Sequence, residues 1–305
     1  MADSYWKGKD VISMRGVPRH AIEEIWAKAR NYQPAVTEKK SYDKLKGKVL
    51  ATLFFEPSTR TKFSFQTAIK RLGGSAISFS DSKTTSSSKG ETLHDTVKMV
   101  QACSDAIAMR HPIEGSARRA ADAANVPVIN GGDGTNQHPT QALLDTYTMV
   151  QQKGKLDGLT ITMIGDLKNG RTIHSLCYAL SNFDVTIELW APPQLKMQQS
   201  IESEVGKKIK IRELSSLDLS NADVVYATRI QKERFDDPVE AKKFSYIIND
   251  EVVKTMKDDA IIMHPLPRVD EIATSVDADK HAKYFQQEAN GIPVRMALLD
   301  SILVG

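Results

Sequence analysis

The 305-residue sequence predicts an α/β protein made of two doubly wound domains, each built on a mainly parallel sheet. Three observations carry that prediction. Short apolar runs of strand length are followed by polar turns and then by apolar residues at helix spacing. The same order recurs along most of the chain. The length exceeds one core of ordinary size and suits two.

"KVLATLFF" (Lys48 to Phe55) opens the first series, and its nearly unbroken apolar character is that of a strand covered on both faces in a parallel sheet. After the turn "EPSTRT", Phe65, Ala68, Ile69 and Leu72 recur at helix spacing until "GG" stops them. "SAISFS" is the next strand. A helix carrying Leu93, Thr96, Val97 and Val100 follows, then the strand "DAIAMR", a short Ala-rich helix and the strand "VPVIN".

From His138 a long helix, "HPTQALLDTYTMVQQKG", leads to a second series that starts near residue 150. Its strands are "LTITMIGD", "VTIELW", "IKIREL", "ADVVYATR" and "AIIMHP", with a helix carrying Ile173, Leu176, Cys177 and Leu180 after the first. The last segment, "AKYFQQEANGIPVRMALLDSILVG", reads as helical. The expected division is 1–140 and 150–287, with a C-terminal helix of about 288–305 packing back on the first domain. "SDSKTTSSSKGE" has the composition of a mobile loop.

A net charge of +3 is too small to point to nucleic acid or an anionic membrane. Cys103 and Cys177, each within an apolar helical pattern, exclude a disulfide framework and a cysteine metal site and fit a reducing compartment. "MADSYWKGKDVISM" lacks the basic-then-apolar pattern of a signal peptide, and no apolar run reaches the roughly 18 residues of a membrane span. A cytoplasmic location is the expectation.

In open α/β sheets ligands bind beyond the carboxyl ends of the strands. Ser58, Thr59, Arg60 and Thr61 follow the first strand, Arg110 ends the third, Asp166 follows "TMIG", Arg229 ends "VVYATR" and His264 ends "AIIM". At the opening turn, Ser58 or Thr59 would serve as a helix cap, aided by Pro57. Capping leaves Arg60 unexplained, whereas helix-end amides, hydroxyls and a guanidinium together suit a phosphate dianion. The same donors would stabilise negative charge that develops during reaction.

Other residues leave two readings open. Arg110 fits either a surface ion pair or a ligand contact, and His138 either a structural or a functional histidine. His138 and Gln141, three apart in "HPTQ", share a helix face, with Pro139 suited to a first turn. Arg171 and Arg229 fit either a solvated face or a clamp on carboxylates, and Lys232 a solvated face. "GDLKNGR" lacks the GxGxxG spacing, and the chain has no GxxxxGK[ST], so dinucleotide and P-loop readings fall away.

"FFEPSTRT" resembles the carbamoyl-phosphate signature of the aspartate and ornithine carbamoyltransferases. "TSSSKGET", "AMRHP", "HPTQALLD", "GDLKNGRTIHSL", "TRIQKERF" and "MHPLPRVDEI" follow in the family's order and extend the resemblance over nearly the whole chain. "HPLPR" and "SxxKGE" are similar to the aspartate branch; the ornithine branch shows "HCLP" at the corresponding place.

The resemblance implies transfer of a carbamoyl group from carbamoyl phosphate to the amine of L-aspartate, with no metal or organic cofactor, at an active site in the cleft between the two domains. It implies that Ser58, Thr59, Arg60 and Thr61 hold the phosphate. Arg110 also contacts carbamoyl phosphate and, with Thr61 and His138, polarises the carbonyl. Gln141 and the backbone carbonyls of Leu266 and Pro267 hold the carbamoyl nitrogen, and Lys89, Arg171, Arg229 and Gln231 bind aspartate. Glu56, Arg171 and Arg234 would latch domain closure. The implied assembly is a homotrimer in which Ser86 and Lys89 reach a neighbouring site; regulatory chains that build a larger holoenzyme are a further partner class it allows. The rival readings are a carbamoyltransferase acting on ornithine or a related amine, and a non-catalytic anion-binding relative.

Overall fold

The computed structural model describes residues 4–79, 90–231 and 245–305. The chain divides into two compact units, Met1–Tyr147 with Ala289–Gly305, and Thr148–Glu288.

In the first unit, α1 (Arg19–Tyr32) and α2 (Pro34–Thr37) precede β1 (Val49–Phe54), α3 (Thr59–Arg71), β2 (Ser75–Ser78), α4 (Leu93–Gln101), β3 (Ala106–His111), α5 (Ser116–Ala123) and β4 (Val128–Asp133). Among the described residues the four strands form one sheet in the order β2-β1-β3-β4, and every neighbouring pair is parallel. β1 is buried from Leu50 onward and β4 throughout, because helices cover both faces. One face packs Ala51, Leu53, Ile107, Met109 and Val128 against Val97 and Val100 of α4 and Ala117 and Ala120 of α5. Small alanines let α5 lie close to the sheet. β2 is the edge strand and is largely exposed.

α6 (Pro139–Lys153) carries the chain into the second unit. There β5 (Thr160–Ile164), α7 (Arg171–Leu180), β6 (Thr186–Trp190), α8 (Gln199–Val205), β7 (Lys210–Glu213), β8 (Val224–Ala227), α9 (Asp250–Val253) and β9 (Ile261–Met263) follow. Their sheet runs β7-β6-β5-β8-β9, again all parallel. α10 (Tyr284–Leu303) begins in this unit and ends in the first.

Each strand segment singled out in the sequence forms a strand, and the two sheets match the α/β, doubly wound prediction. α1, α2, α8 and α9 add helices that the alternation does not anticipate. α1 turns Ile22, Ile25, Trp26 and Ala29 inward, and the Trp26 indole N–H donates to Thr146 Oγ1 at 3.2 Å. Cys103 corrects its expected place: it follows the end of α4 and is exposed, whereas Cys177 is buried within α7. Burial pushes the Cys177 thiol up to about 12, so it is an inert core group. No described helix is long and apolar enough to cross a membrane.

Candidate active site

Strand order decides where an open α/β sheet offers a crevice. In the first sheet the chain leaves β1 toward β2 on one side and returns to β3 on the other, so the switch point lies between β1 and β3. β1 and β3 pair with Phe54 opposite Arg110, which brings the "EPSTRT" turn and the Arg110 side chain to one crevice.

Ser58 is the N-cap residue of α3 and has extended backbone geometry, yet its side chain makes no capping hydrogen bond. The helix ladder begins with the Lys62 amide on the Ser58 carbonyl at 3.2 Å. First-turn amides precede any ladder partner and point along the helix axis, where the dipole also favours an anion. Ser58 and Arg60 are half-buried and Thr59 is exposed, while Thr61 is buried. The turn therefore presents donors at its mouth and one hydroxyl residue at its base.

Arg110 is fixed by two acceptors. Its Nε and Nη2 donate to Glu56 Oε1 at 3.2 and 2.6 Å, and its Nη1 to the Gly131 carbonyl at 3.4 Å. Gly131 has a second function, since a Cβ there would lie 3.1 Å from the Met109 carbonyl and 3.5 Å from Thr61 Cγ2. The glycine lets Thr61 and Arg110 share the end of the switch point.

His138 is the residue before α6 and accepts its first ladder bonds on its carbonyl, from Gln141 N at 3.0 Å and Ala142 N at 3.3 Å. The loop that delivers it is held by Asn130 and Asp133, both fully or nearly fully buried. Asp133 accepts from the amides of Gly115 and Gln137 and from the side-chain amides of Asn130 and Asn136, at 2.8 to 3.1 Å. A buried carboxylate is tolerated when hydrogen bonds replace its water. Gln141 donates its amide nitrogen to Asp145 Oδ1 at 2.9 Å, which leaves Oε1 as the acceptor end of that side chain. Beside Asp133 and Glu56 lies His111; burial holds its imidazole below the usual histidine range despite both carboxylates.

The second sheet has its switch point between β5 and β8. Beyond β5, buried Asp166 accepts from the Asn169 amide at 2.9 Å and from its side chain at 3.2 Å, shaping the turn that places Arg171 at the first position of α7. Beyond β8, the Thr228 amide and hydroxyl donate to the Ile164 carbonyl, and Tyr246 donates to the Thr228 carbonyl at 2.6 Å. Arg229 and Gln231 follow at once and are half-buried. Gly165 permits this crowding, because a Cβ there would lie 2.1 Å from the Thr228 carbonyl.

After β9 the chain forms the loop "HPLPRVDE". His264 and Glu271 pair at 2.6 Å with side chains 1% and 2% exposed. Burial pushes the Glu271 carboxyl up, but the His264 bond and backbone donors outweigh it and hold it below the usual range. Leu266 is half-buried with φ of 50°, Pro267 is exposed, and the bond between them is cis. Arg268 pairs with Asp277 through both terminal nitrogens and reaches the Tyr284 hydroxyl at 3.2 Å.

Thus Ser58, Thr59, Arg60, Thr61, Arg110, His138 and Gln141 belong to the first unit, and Arg171, Arg229, Gln231, Leu266 and Pro267 to the second. Ser86, Lys89, Lys232 and Arg234 lie outside the described residues. Sequence reasoning passed over Asn130, Asp133 and Glu271. Asn130 ends the strand "VPVIN" and gives no sign of a supporting role, and Asp133 and Glu271 stand near glycines or prolines and charged residues, where an acidic residue reads first as a turn former.

Two family models cover the chain: aspartate/ornithine carbamoyltransferase, carbamoyl-P binding domain, over residues 9–151, and the Asp/Orn binding domain over residues 157–302. The aspartate carbamoyltransferase catalytic subunit of Thermococcus kodakarensis is 52% identical over 96% of this chain and 96% of its own. Aspartate transcarbamoylase from Trypanosoma cruzi, solved with carbamoyl phosphate, superposes with a TM-score of 0.95 at 38% identity, over 100% of this chain and 99% of that one. The catalytic subunit of M. jannaschii aspartate transcarbamoylase gives 0.88 at 49% identity, over 96% and 97%. With motifs, fold and extent in agreement, the chain belongs to the aspartate/ornithine carbamoyltransferase family.

Proposed function

We propose that this protein transfers the carbamoyl group of carbamoyl phosphate to the amine of L-aspartate, giving N-carbamoyl-L-aspartate and phosphate, a step of pyrimidine synthesis. The observation that carries the reading is the donor set at the β1/β3 switch point: the α3 N-terminus, Arg110 and Thr61 meet there over Gly131. The 52% identity to a relative named as the aspartate enzyme supports the choice of amine.

The first-turn amides of α3, Ser58, Thr59, Arg60 and Thr61 hold the phosphate, and Arg110 reaches both phosphate and carbonyl. Attack by the amine forms the C–N bond and puts negative charge on the carbonyl oxygen. Thr61, Arg110 and His138 donate to that oxygen, and preorganised donors of this kind are worth about 2.7 to 4 kcal/mol each. The C–O bond to phosphate then breaks, and the departing phosphate takes the amine proton. Gln141 Oε1 and the Leu266 and Pro267 carbonyls accept from the carbamoyl NH2. Arg171, Arg229, Gln231 and Lys89 take the two aspartate carboxylates, a match that favours a diacid. Binding both reactants makes the encounter effectively unimolecular, worth up to about 7 to 11 kcal/mol. The working assembly in this reading is a homotrimer, with Ser86 and Lys89 serving a neighbouring site.

Parallel assays with L-aspartate and L-ornithine test the reading. Carbamoyl aspartate without citrulline is the expected result. Citrulline from ornithine, with no carbamoyl aspartate from aspartate, would contradict it.

A further inference from the structure

We infer that the buried His264–Glu271 pair is a positioning device: it sets the Leu266 and Pro267 carbonyls to accept from an NH2 group, and so makes the site prefer a phosphate that carries an amide over one that ends in methyl. The inference rests on the functional reading above, in which those two carbonyls hold the carbamoyl nitrogen.

The hydrogen-bond directions in this loop admit one solution. His264 Nδ1 accepts the Leu266 N–H at 2.8 Å, so its proton must sit on Nε2, where it is donated to Glu271 Oε1 at 2.6 Å. Glu271 Oε2 accepts the amides of Val269 and Asp270, both at 3.1 Å. The His264 amide donates to Gln287 Oε1 on α10 at 2.8 Å, which ties the start of the loop to a long helix. Both partners of the pair are almost fully buried, so water does not compete for these bonds.

This arrangement consumes the amides of Leu266, Val269 and Asp270, and Pro265 and Pro267 have none to offer. From Pro265 to Asp270 that leaves the Arg268 amide, while the Arg268 guanidinium is turned to Asp277 and the Tyr284 hydroxyl, so the Leu266 and Pro267 carbonyls stand in a stretch with more acceptors than amide donors. Leu266 also holds a φ of 50°, a conformation that a branched residue keeps only when its surroundings enforce it. An NH2 group offers two donors to such a surface; a methyl group of the same size offers none. His264 and Glu271 touch no reacting atom in this account, so they are positioning residues.

Glu271→Gln is the diagnostic change because it preserves size while making the pattern unsolvable. If the new amide turns its oxygen to His264, its NH2 faces the Val269 and Asp270 donors. If it turns the oxygen to those amides, its NH2 faces His264 Nε2, which can accept only by moving its proton to Nδ1, against the Leu266 donor.

The test compares the binding of phosphonoacetamide and acetonylphosphonate, which share phosphonate and carbonyl and differ as amide against methyl, by calorimetry on the full chain. The wild-type protein is expected to prefer the amide by about tenfold or more. Glu271→Gln is expected to bring that ratio to within about twofold of unity while the acetonylphosphonate affinity stays within about twofold of wild type. His264→Asn keeps an acceptor for Leu266 but loses the reach to Glu271, so its ratio should fall between the two. It carries the test if Glu271→Gln does not accumulate as folded protein. An unchanged ratio in the variant, or an equal loss for both ligands, would overturn the positioning role and leave the functional reading standing. Failure of the wild-type protein to bind either phosphonate would overturn the functional reading itself.

Discussion

The rims of the two sheets solve opposite problems with the same topology. At the β1/β3 switch the first unit assembles donors: a helix N-terminus, hydroxyls and two arginines, with Glu56 and the Gly131 carbonyl holding Arg110. At the end of β9 the second unit assembles acceptors, because prolines and the His264–Glu271 pair leave only the Arg268 amide among the backbone donors from Pro265 to Asp270. A donor-rich rim suits a phosphate and a developing oxyanion, whereas an acceptor-rich loop suits an NH2 group. Parallel α/β architecture thus fixes where ligands go, and the local hydrogen-bond economy of each turn fixes which chemistry is received there.

The comparison can be broken most severely at Arg60. Arg60→Ala should abolish measurable carbamoyl phosphate binding in a calorimetric titration and lower turnover by about a thousandfold, as loss of a charged donor at a reacting group does. Normal binding would show that the donor rim is misassigned. Next in size is Gly165→Ala, since the added Cβ would lie 2.1 Å from the Thr228 carbonyl at a glycine φ of 111°. It should destabilise the second unit by about 3 kcal/mol in urea unfolding.

Arg229→Ala should raise KM for aspartate by up to about a hundredfold, by losing charge-assisted bonds to a carboxylate. It should leave carbamoyl phosphate binding close to wild type, and steady-state kinetics with titration would separate the two. Gly131→Ala sharpens the picture within the donor rim. Its Cβ would sit 3.1 Å from the Met109 carbonyl and 3.5 Å from Thr61 Cγ2, so a shift of a few tenths of an ångström should cost about tenfold in kcat with little change in aspartate KM.

Acid should act on both rims with one sign. His111 titrates below its ordinary 6.5 and Glu271 below its ordinary 4.5, so in each case the unfolded chain binds protons first as pH falls. Stability should therefore decline as pH drops below about 6.5 through the His111 window, and again below about 4.5 through that of Glu271. The Ser116 hydroxyl lies 2.9 Å from His111 Nδ1, and His111→Asn, which keeps an acceptor there, should flatten the first decline in unfolding midpoints measured from pH 7 to 5.

Much of this was legible in the residues because the signals were local. Apolar runs and helix spacing mark the strands and most of the helices, and the turn "EPSTRT" advertises its donors by residue type. Strand order was not legible: that β1 lies between β2 and β3, with Arg110 of β3 opposite Phe54, depends on packing between segments far apart in the chain. The same holds for the Glu56–Arg110 pair, 54 residues apart, and for the Asn130–Asp133 network that delivers His138. Asp133 and Glu271 look like turn formers in a string of letters, and only burial converts them into supports for a site. Cys103 misled because the apolar pattern of α4 extends past the point where its backbone stops being helical.

The proposed reaction requires donors of the first unit and cations of the second to serve one pair of substrates. Titration with N-(phosphonacetyl)-L-aspartate, which joins a phosphonate to an aspartate through an amide, tests it most directly. The prediction is binding at least about a hundredfold tighter than phosphonoacetamide, weakened by both Arg60→Ala and Arg229→Ala. Binding no tighter than phosphonoacetamide, or weakened by Arg60→Ala alone, would contradict it.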